Sequence, residues 1–311
     1  MNIPAINSDN EYKKYRGDAE SWQSAIKKIF KQHDIKLNNY DITAGFNSTY
    51  PVFLIDSYVI KLFGYRHNAE QVFNNERNAH HCLLRDSYIK APKIIAEGIV
   101  TTADGHLWSY LILEKISGKS WMDNTLTRDE KITVVKELGQ QIKHIHALPN
   151  IAQIKSDDDW CDLDVSAAAR KSVLPEHLII QIPKFLQHIN SFDRVITHGD
   201  MVGMHIFIDD TNLSGIIDWG DATFTDRHYE LGKLTNMFPC DKLLLTTLLD
   251  TANWPVTKNF AKQTLGLALY RQAVGLTQHF SFDVFYQLPE ILPLHEIKTL
   301  EELADIMFDT K

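Results

Sequence analysis

The spacing of apolar positions separates a strand-rich N-terminal part from a helix-rich remainder. Trp22, Ile26, Ile29 and Phe30 recur at helical spacing and predict an amphipathic helix over 19–33, with its lysines on the other face. Three short β-type segments follow over 40–43, 50–55 and 58–63. Asn68 then opens a helix, with Gln71 completing a capping-box pattern and Val72, Phe73 and Leu83 on the buried face. Residues 89–100, interrupted near their start by Pro92, and residues 107–113 supply two more strands. Beyond them Thr127 and Glu130 form a second capping box, opening a helix that buries Val134, Val135, Leu138, Ile142 and Ile145 and ends near Pro149. Further helices are expected over 176–190, 229–238, 242–249, 258–278 and 295–308. The helix over 258–278 is unusually long, and its apolar face includes Leu265, Leu267, Ala268, Tyr270 and Val274.

One stretch interrupts this helical pattern. Ile206, Phe207 and Ile208 form an apolar run, Asp209 to Asn212 are turn formers, and Leu213 to Trp219 runs back. A hairpin here sets His205 roughly opposite Asp218, with Asp200 just before it on an irregular segment next to Gly199. Two acids and an imidazole then surround one small volume. Phosphoryl transfer needs such a set: one carboxylate to orient and deprotonate an attacking hydroxyl, another to hold Mg²⁺, and a further metal ligand. Each residue taken alone has a plainer reading, as a loop acid, a strand-end acid or a core histidine; only the joint spacing points to chemistry.

His198-Gly199-Asp200, a ligand five residues on, and Ile217-Asp218-Trp219-x-x-Ala222 resemble the aminoglycoside phosphotransferase family. These are small-molecule kinases with a protein-kinase-like fold. Asp226 to Leu231 resembles the family's G-D-x-x-Y-D/E-L segment, and Leu138-Gly139 with Ile145-His146 resembles its L-G…L-H helix. His205 stands where most of the family has Asn, as in the macrolide-phosphorylating branch. The resemblance implies that Asp200 is the catalytic base, that Asp218 holds Mg²⁺ and that His205 is the second metal ligand. Ala44 to Thr49 is similar to the family's G-x-x-N-x-x-Y/V loop, which implies phosphate contacts from Asn47 and Ser48.

Lys61 lies mid-strand among apolar residues, which is costly unless it is paired. It reads either as a lysine snorkelling from an edge strand or as the kinase lysine that grips the α- and β-phosphates, with Glu76 as its acid. The resemblance favours the second. Glu114-Lys115-Ile116-Ser117-Gly118 looks like the family's hinge, where backbone groups of Glu114 and Ile116 would meet the nucleotide base.

The resemblance thus implies an α+β, protein-kinase-like bilobal fold. Residues 1–115 would form a small β-sheet N-lobe with an N-terminal helix and nucleotide-phosphate loop, and 116–311 a helical C-lobe with the catalytic loop and the substrate side. The expected donor is ATP or GTP with Mg²⁺, and the expected acceptor a hydroxyl of a small molecule. Aminoglycoside, macrolide, amino alcohol, sugar and other natural products all remain open as acceptors. A nucleotide-binding pseudokinase is the alternative. A metal-dependent hydrolase built on His198, Asp200, His205, Asp218 and His228 is a rival that leaves Lys61 without a task.

Composition narrows the field. A net charge of −8 argues against a nucleic-acid partner and is compatible with a cationic acceptor, though it equally suits plain solubility. Asp157, Asp158, Asp159, Asp162 and Asp164 around Trp160 form an acidic run, read either as a solvated loop or as a hold for a polycation. The three cysteines, Cys82, Cys161 and Cys240, are far apart and suggest a reducing, cytoplasmic setting. No secretory h-region opens the sequence, and no apolar run is long enough to span a bilayer.

Overall fold

The computed structural model describes residues 3–46, 49–102, 105–150, 154–156, 162–187, 189, 192–277, 283–308 and 310. The chain forms two compact units, one comprising Met1–Leu84 with Ala91–Ile116 and the other Arg85–Lys90 with Ser117–Lys311.

The first unit contains α1 (Asp9–Tyr15), α2 (Ala19–Gln32), β1 (Ile42–Ala44), β2 (Val52–Ile55), β3 (Tyr58–Phe63), α3 (Ala69–Leu83), β4 (Ile94–Thr101) and β5 (Leu107–Glu114). Its strands make one antiparallel sheet in the order β1-β2-β3-β5-β4. The apolar stripe of α2 covers one face, packing Trp22, Ile26, Ile29 and Phe30 against Phe53, Ile60, Trp108 and Ile112. Trp22 meets Trp108 edge-on, with ring centroids 5.0 Å apart. Phe73 of α3 joins Phe63, Leu111 and Leu113 in a second cluster.

Two expectations are corrected in this unit. Asn68 does occupy the N-cap position of α3, but its side chain makes no capping bond. Its Oδ1 instead accepts the Tyr50 hydroxyl at 3.3 Å, a tertiary partner that the local pattern does not reveal. The strand expected from residue 89 begins at Ile94. Lys90 belongs to the second unit, where its N–H donates to Gln141 Oε1 at 2.6 Å and its Nζ to Leu213 O at 2.7 Å.

The second unit contains β6 (Lys119–Ser120), α4 (Arg128–His146), α5 (Val165–Ala169), α6 (Glu176–Ile179), α7 (Ile182–Leu186), β7 (Arg194–Thr197), β8 (Ile206–Asp209), β9 (Asn212–Ile216), β10 (Thr223–Asp226), α8 (His228–Leu234), α9 (Lys242–Thr251), α10 (Phe260–Thr277), α11 (Leu288–Ile291) and α12 (Leu300–Phe308). The Thr127–Glu130 capping box is present at the start of α4. Strands β6, β8 and β9 form a small antiparallel sheet, and β7 pairs with β10. Helix α8 packs on α10, and α4 on α9.

Helix α10 is buried around most of its circumference, from Thr264 and Leu265 through Leu267, Ala268 and Leu269 to Ala273, so it is a central helix rather than one with a single apolar face. The tail helix begins at Leu300, not near 295, because Thr299 caps it: Glu302 N–H donates to Thr299 Oγ1 at 3.1 Å. Among the described residues no helix is long and apolar enough to cross a membrane.

Candidate active site

The β8–β9 hairpin does what its sequence pattern predicts. Ile206 pairs with Ile216, Ile217 N–H donates to His205 O at 2.9 Å, and His205 Nε2 lies 3.3 Å from Asp218 Oδ2. His205 Nδ1 lies 2.9 Å from the Asp200 carbonyl, which can only accept, so Nδ1 carries a proton. That bond fixes the ring and directs Nε2 at Asp218. Asp218 itself adopts left-handed backbone angles, φ 65° and ψ 65°. Aspartate tolerates this region better than most residues, yet it remains a sparsely populated one held by its surroundings. Trp219, fully buried, anchors the segment by donating from Nε1 to Ile216 O at 2.9 Å.

His198 ties the two acidic segments together. Its Nε2–H donates to Ile217 O at 2.8 Å, and its Nδ1 accepts the Asp200 N–H at 3.2 Å. Accepting at Nδ1 requires the neutral ring. Burial drives its pKa down to about 4, with the neighbouring His205 adding to the effect. Gly199 has φ +76°, and a Cβ there would collide with the carbonyl of Asp221, so glycine is required at this turn.

Asp200 is held as a carboxylate. Burial pushes its pKa up, but Lys233, Arg271 and His205 more than offset this and bring it to about 2. Lys233 Nζ contacts Asp200 Oδ1 directly. Glu230 accepts the His198 N–H at 2.6 Å and is itself buried. Glu230 entered the sequence reading only as part of the Asp226–Leu231 segment, and Lys233 and Arg271 had no role in it, although a charged residue inside an otherwise apolar helix carries the same signal as Lys61 in its strand.

Burial raises the Glu230 carboxyl to about 7, helped by the Asp200 charge and opposed by the His198 and Gly199 amides. Folding therefore favours the protonated form. The associated stability is complete at pH values below the ordinary 4.5 and is lost as pH rises through about 7. Glu230→Gln is expected to flatten the decline in stability over that window, measured by urea unfolding at stepped pH. A variant profile parallel to wild type would refute the assignment.

In the first unit Lys61 Nζ meets Glu76 Oε2 at 2.6 Å, with both residues buried. Glu76→Ala removes the carboxylate nearest the buried Lys61 charge and should cost about 3–5 kcal/mol in chemical denaturation. A loss below about 1 kcal/mol would show that solvent replaces the partner. Glu114 closes β5, and its N–H donates to Lys93 O at 2.9 Å; Ile116 is the last residue of that unit. Asn47 and Ser48 lie outside the described residues, as do Asp157, Asp158, Asp159 and Trp160. Asp164 is a helix cap, accepting the Ala167 N–H at 2.8 Å.

Asp218 and His205 offer one carboxylate and one imidazole nitrogen to a cation. Among the described residues no group of three or more His, Cys, Asp and Glu is arranged to hold a metal. Mg²⁺ does not need such a group, since it takes one or two carboxylates and leaves its other positions to phosphates and water. His228, which the hydrolase reading requires, is held by Asp226, with Nδ1 2.7 Å from Oδ1.

The chain matches the family described as "Phosphotransferase enzyme family" over residues 43–256, more than half its length. Solved structures similar to it include aminoglycoside 2'-phosphotransferase-IIIa in complex with GDP, 17% identical with TM-score 0.65, covering 83% of this chain and 93% of that one. Another is a microcompartment-associated aminopropanol kinase, 15% identical with TM-score 0.61, covering 83% and 89%. A third is the apoenzyme of a macrolide 2'-phosphotransferase from Brachybacterium faecium, 14% identical with TM-score 0.56, covering 93% and 99%. At these identities the likeness establishes the fold, which is kinase-like.

Proposed function

The chain belongs to the phosphotransferase enzyme family, and from that membership we propose the residue roles, donor, metal and acceptor of its reaction. The protein is a small-molecule kinase, moving the γ-phosphoryl group of a nucleoside triphosphate to an alcohol. The observation that carries the residue roles is the convergence of Asp200, His205 and Asp218 around one hairpin.

Asp200 accepts a hydrogen bond from the acceptor hydroxyl and takes its proton as the bond to phosphorus forms. With a carboxylate this acidic, it orients more than it deprotonates in advance. Asp218 and His205 hold Mg²⁺, which when bound neutralises charge on the transferring phosphates. Lys61, fixed by Glu76, grips the phosphates, with Asn47 and Ser48 as further contacts. Backbone groups of Glu114 and Ile116 meet the base. Residues 1–115 thus serve the nucleotide, and 116–311 carry the catalytic loop and acceptor side.

The proposed donor is ATP or GTP, and the proposed acceptor a hydroxyl of an aminoglycoside or macrolide antibiotic. Similar structures are described with GDP, with kanamycin and with streptomycin and ATP, which supports this choice. The negative net charge suits a cationic acceptor. The test is transfer of labelled γ-phosphate from ATP and from GTP to kanamycin, streptomycin, a macrolide and an aminopropanol. Label on an antibiotic supports the acceptor assignment; label on the amino alcohol alone contradicts it.

A further inference from the structure

Two buried cations meet the Asp200 carboxylate, and neither belongs to the motifs that identify the site. Lys233, on α8, contacts Oδ1 through Nζ, and Arg271, on α10, brings Nη2 to 3.5 Å from the same oxygen. Arg271 also donates from Nε to the Gly199 carbonyl at 2.9 Å. Its guanidinium lies 5.9 Å from the centroid of the Tyr229 ring, and Nη2 is 3.8 Å from Asp221 Oδ2. Lys233 and Arg271 are only 7% and 5% exposed. Arg271 lies beyond residues 43–256, the span of the family match.

Two buried cations are a poor route to stability, because each is desolvated at a cost that apolar side chains of similar size avoid. Their arrangement does, however, differentiate the two oxygens of Asp200. Both cations address Oδ1. On the side of Oδ2 stands His205 Nδ1 at 3.8 Å, whose proton is already given to the Asp200 carbonyl at 2.9 Å.

We propose that Lys233 and Arg271 are positioning residues for phosphoryl transfer, locking the catalytic loop through Asp200 Oδ1 and the Gly199 carbonyl so that Oδ2 is the oxygen presented to the acceptor hydroxyl. This rests on the reading that Asp200 receives that hydroxyl. In the step it serves, the hydroxyl oxygen bonds to the γ-phosphorus and the bond from phosphorus to the β-phosphate oxygen breaks. The electron pair leaves with the nucleoside diphosphate, and the proton passes to Oδ2. Fixing the carboxylate acts on the geometry of attack, not on nucleotide affinity, so its loss falls on kcat.

The experiment compares Lys233→Met, Lys233→Arg, Arg271→Met and Arg271→Lys with wild type, using ATP and GTP with the acceptors named above, alongside crystal structures of both methionine variants. Each methionine variant is expected to lower kcat by about 10²-fold with the nucleotide KM within about twofold. Lys233→Arg should recover at least about tenfold over Lys233→Met, because the charge returns. Arg271→Lys cannot span both Gly199 and Asp200, and should lose about tenfold even where Arg271→Met fails to fold. Folded variants that keep wild-type kcat, or lose only nucleotide affinity, overturn the proposal and leave the kinase reading standing. If wild type transfers to none of these acceptors, the acceptor reading fails instead. The crystal structures then decide: an Asp200 carboxylate unmoved in both methionine variants overturns the lock, and a displaced one supports it.

Discussion

Asp200→Ala is expected to lower kcat for phosphoryl transfer by about 10³-fold, within the range for a positioned general base, while nucleotide affinity changes by less than about twofold. In the proposed reaction this carboxylate receives the proton of the acceptor, and the residues around it would serve its orientation. His198 receives its amide, Lys233 and Arg271 take one oxygen, and His205 holds its carbonyl. None of these contacts involves the groups assigned to the phosphates. Steady-state kinetics with a competent acceptor, paired with calorimetric nucleotide binding, separates the two quantities. Retention of more than about a tenth of wild-type kcat would remove Asp200 from the role of base.

Asp218→Asn should be comparably severe for a different reason. Asparagine also tolerates left-handed backbone angles, so the substitution removes charge while leaving the turn at φ 65° in place. Losing the one carboxylate assigned to Mg²⁺ should reduce kcat/KM by about 10³-fold and abolish the dependence of nucleotide affinity on the metal. His205 alone cannot replace it, because the cation would then have no carboxylate among the residues assigned to it. An Asp218→Asn protein that still needs Mg²⁺ for tight nucleotide binding would place the metal elsewhere.

The parts of the site legible in the sequence were those set by short-range geometry. The turn at Asp209 to Asn212 places the hairpin, while a register shift between Phe207 and Ile208, not legible in the sequence, brings His205 opposite Ile217 and beside Asp218. Lys61 was legible because a cation inside an apolar strand demands a partner, and Glu76 provides it. Thr127 and Glu130 were legible because a capping box is closed within one turn. Asn68 matched a similar pattern, yet its side chain was claimed by Tyr50, eighteen residues away in sequence. The grip on Asp200 was hidden for the same reason: Lys233 and Arg271 lie 33 and 71 positions further on and arrive through the packing of α8 on α10. Their charges inside buried helices were the available signal, but the partner of each depended on tertiary contacts. The start of α12 was within reach of local reasoning, since Thr299 and Glu302 form a cap that hydrophobic spacing alone overlooks.

The assigned roles all depend on binding of a nucleoside triphosphate with Mg²⁺ through Asp218. It is tested most directly by the thermal stability of wild-type and Asp218→Asn proteins with ATP or GTP, each with and without Mg²⁺. A ligand that binds only the folded state at a hundred times its Kd stabilises it by about 2.7 kcal/mol, a shift of several degrees. A Mg²⁺-dependent rise in Tm with at least one nucleotide is expected in wild type, and its loss in Asp218→Asn. No rise with either nucleotide, or an equal rise in both proteins, would contradict it.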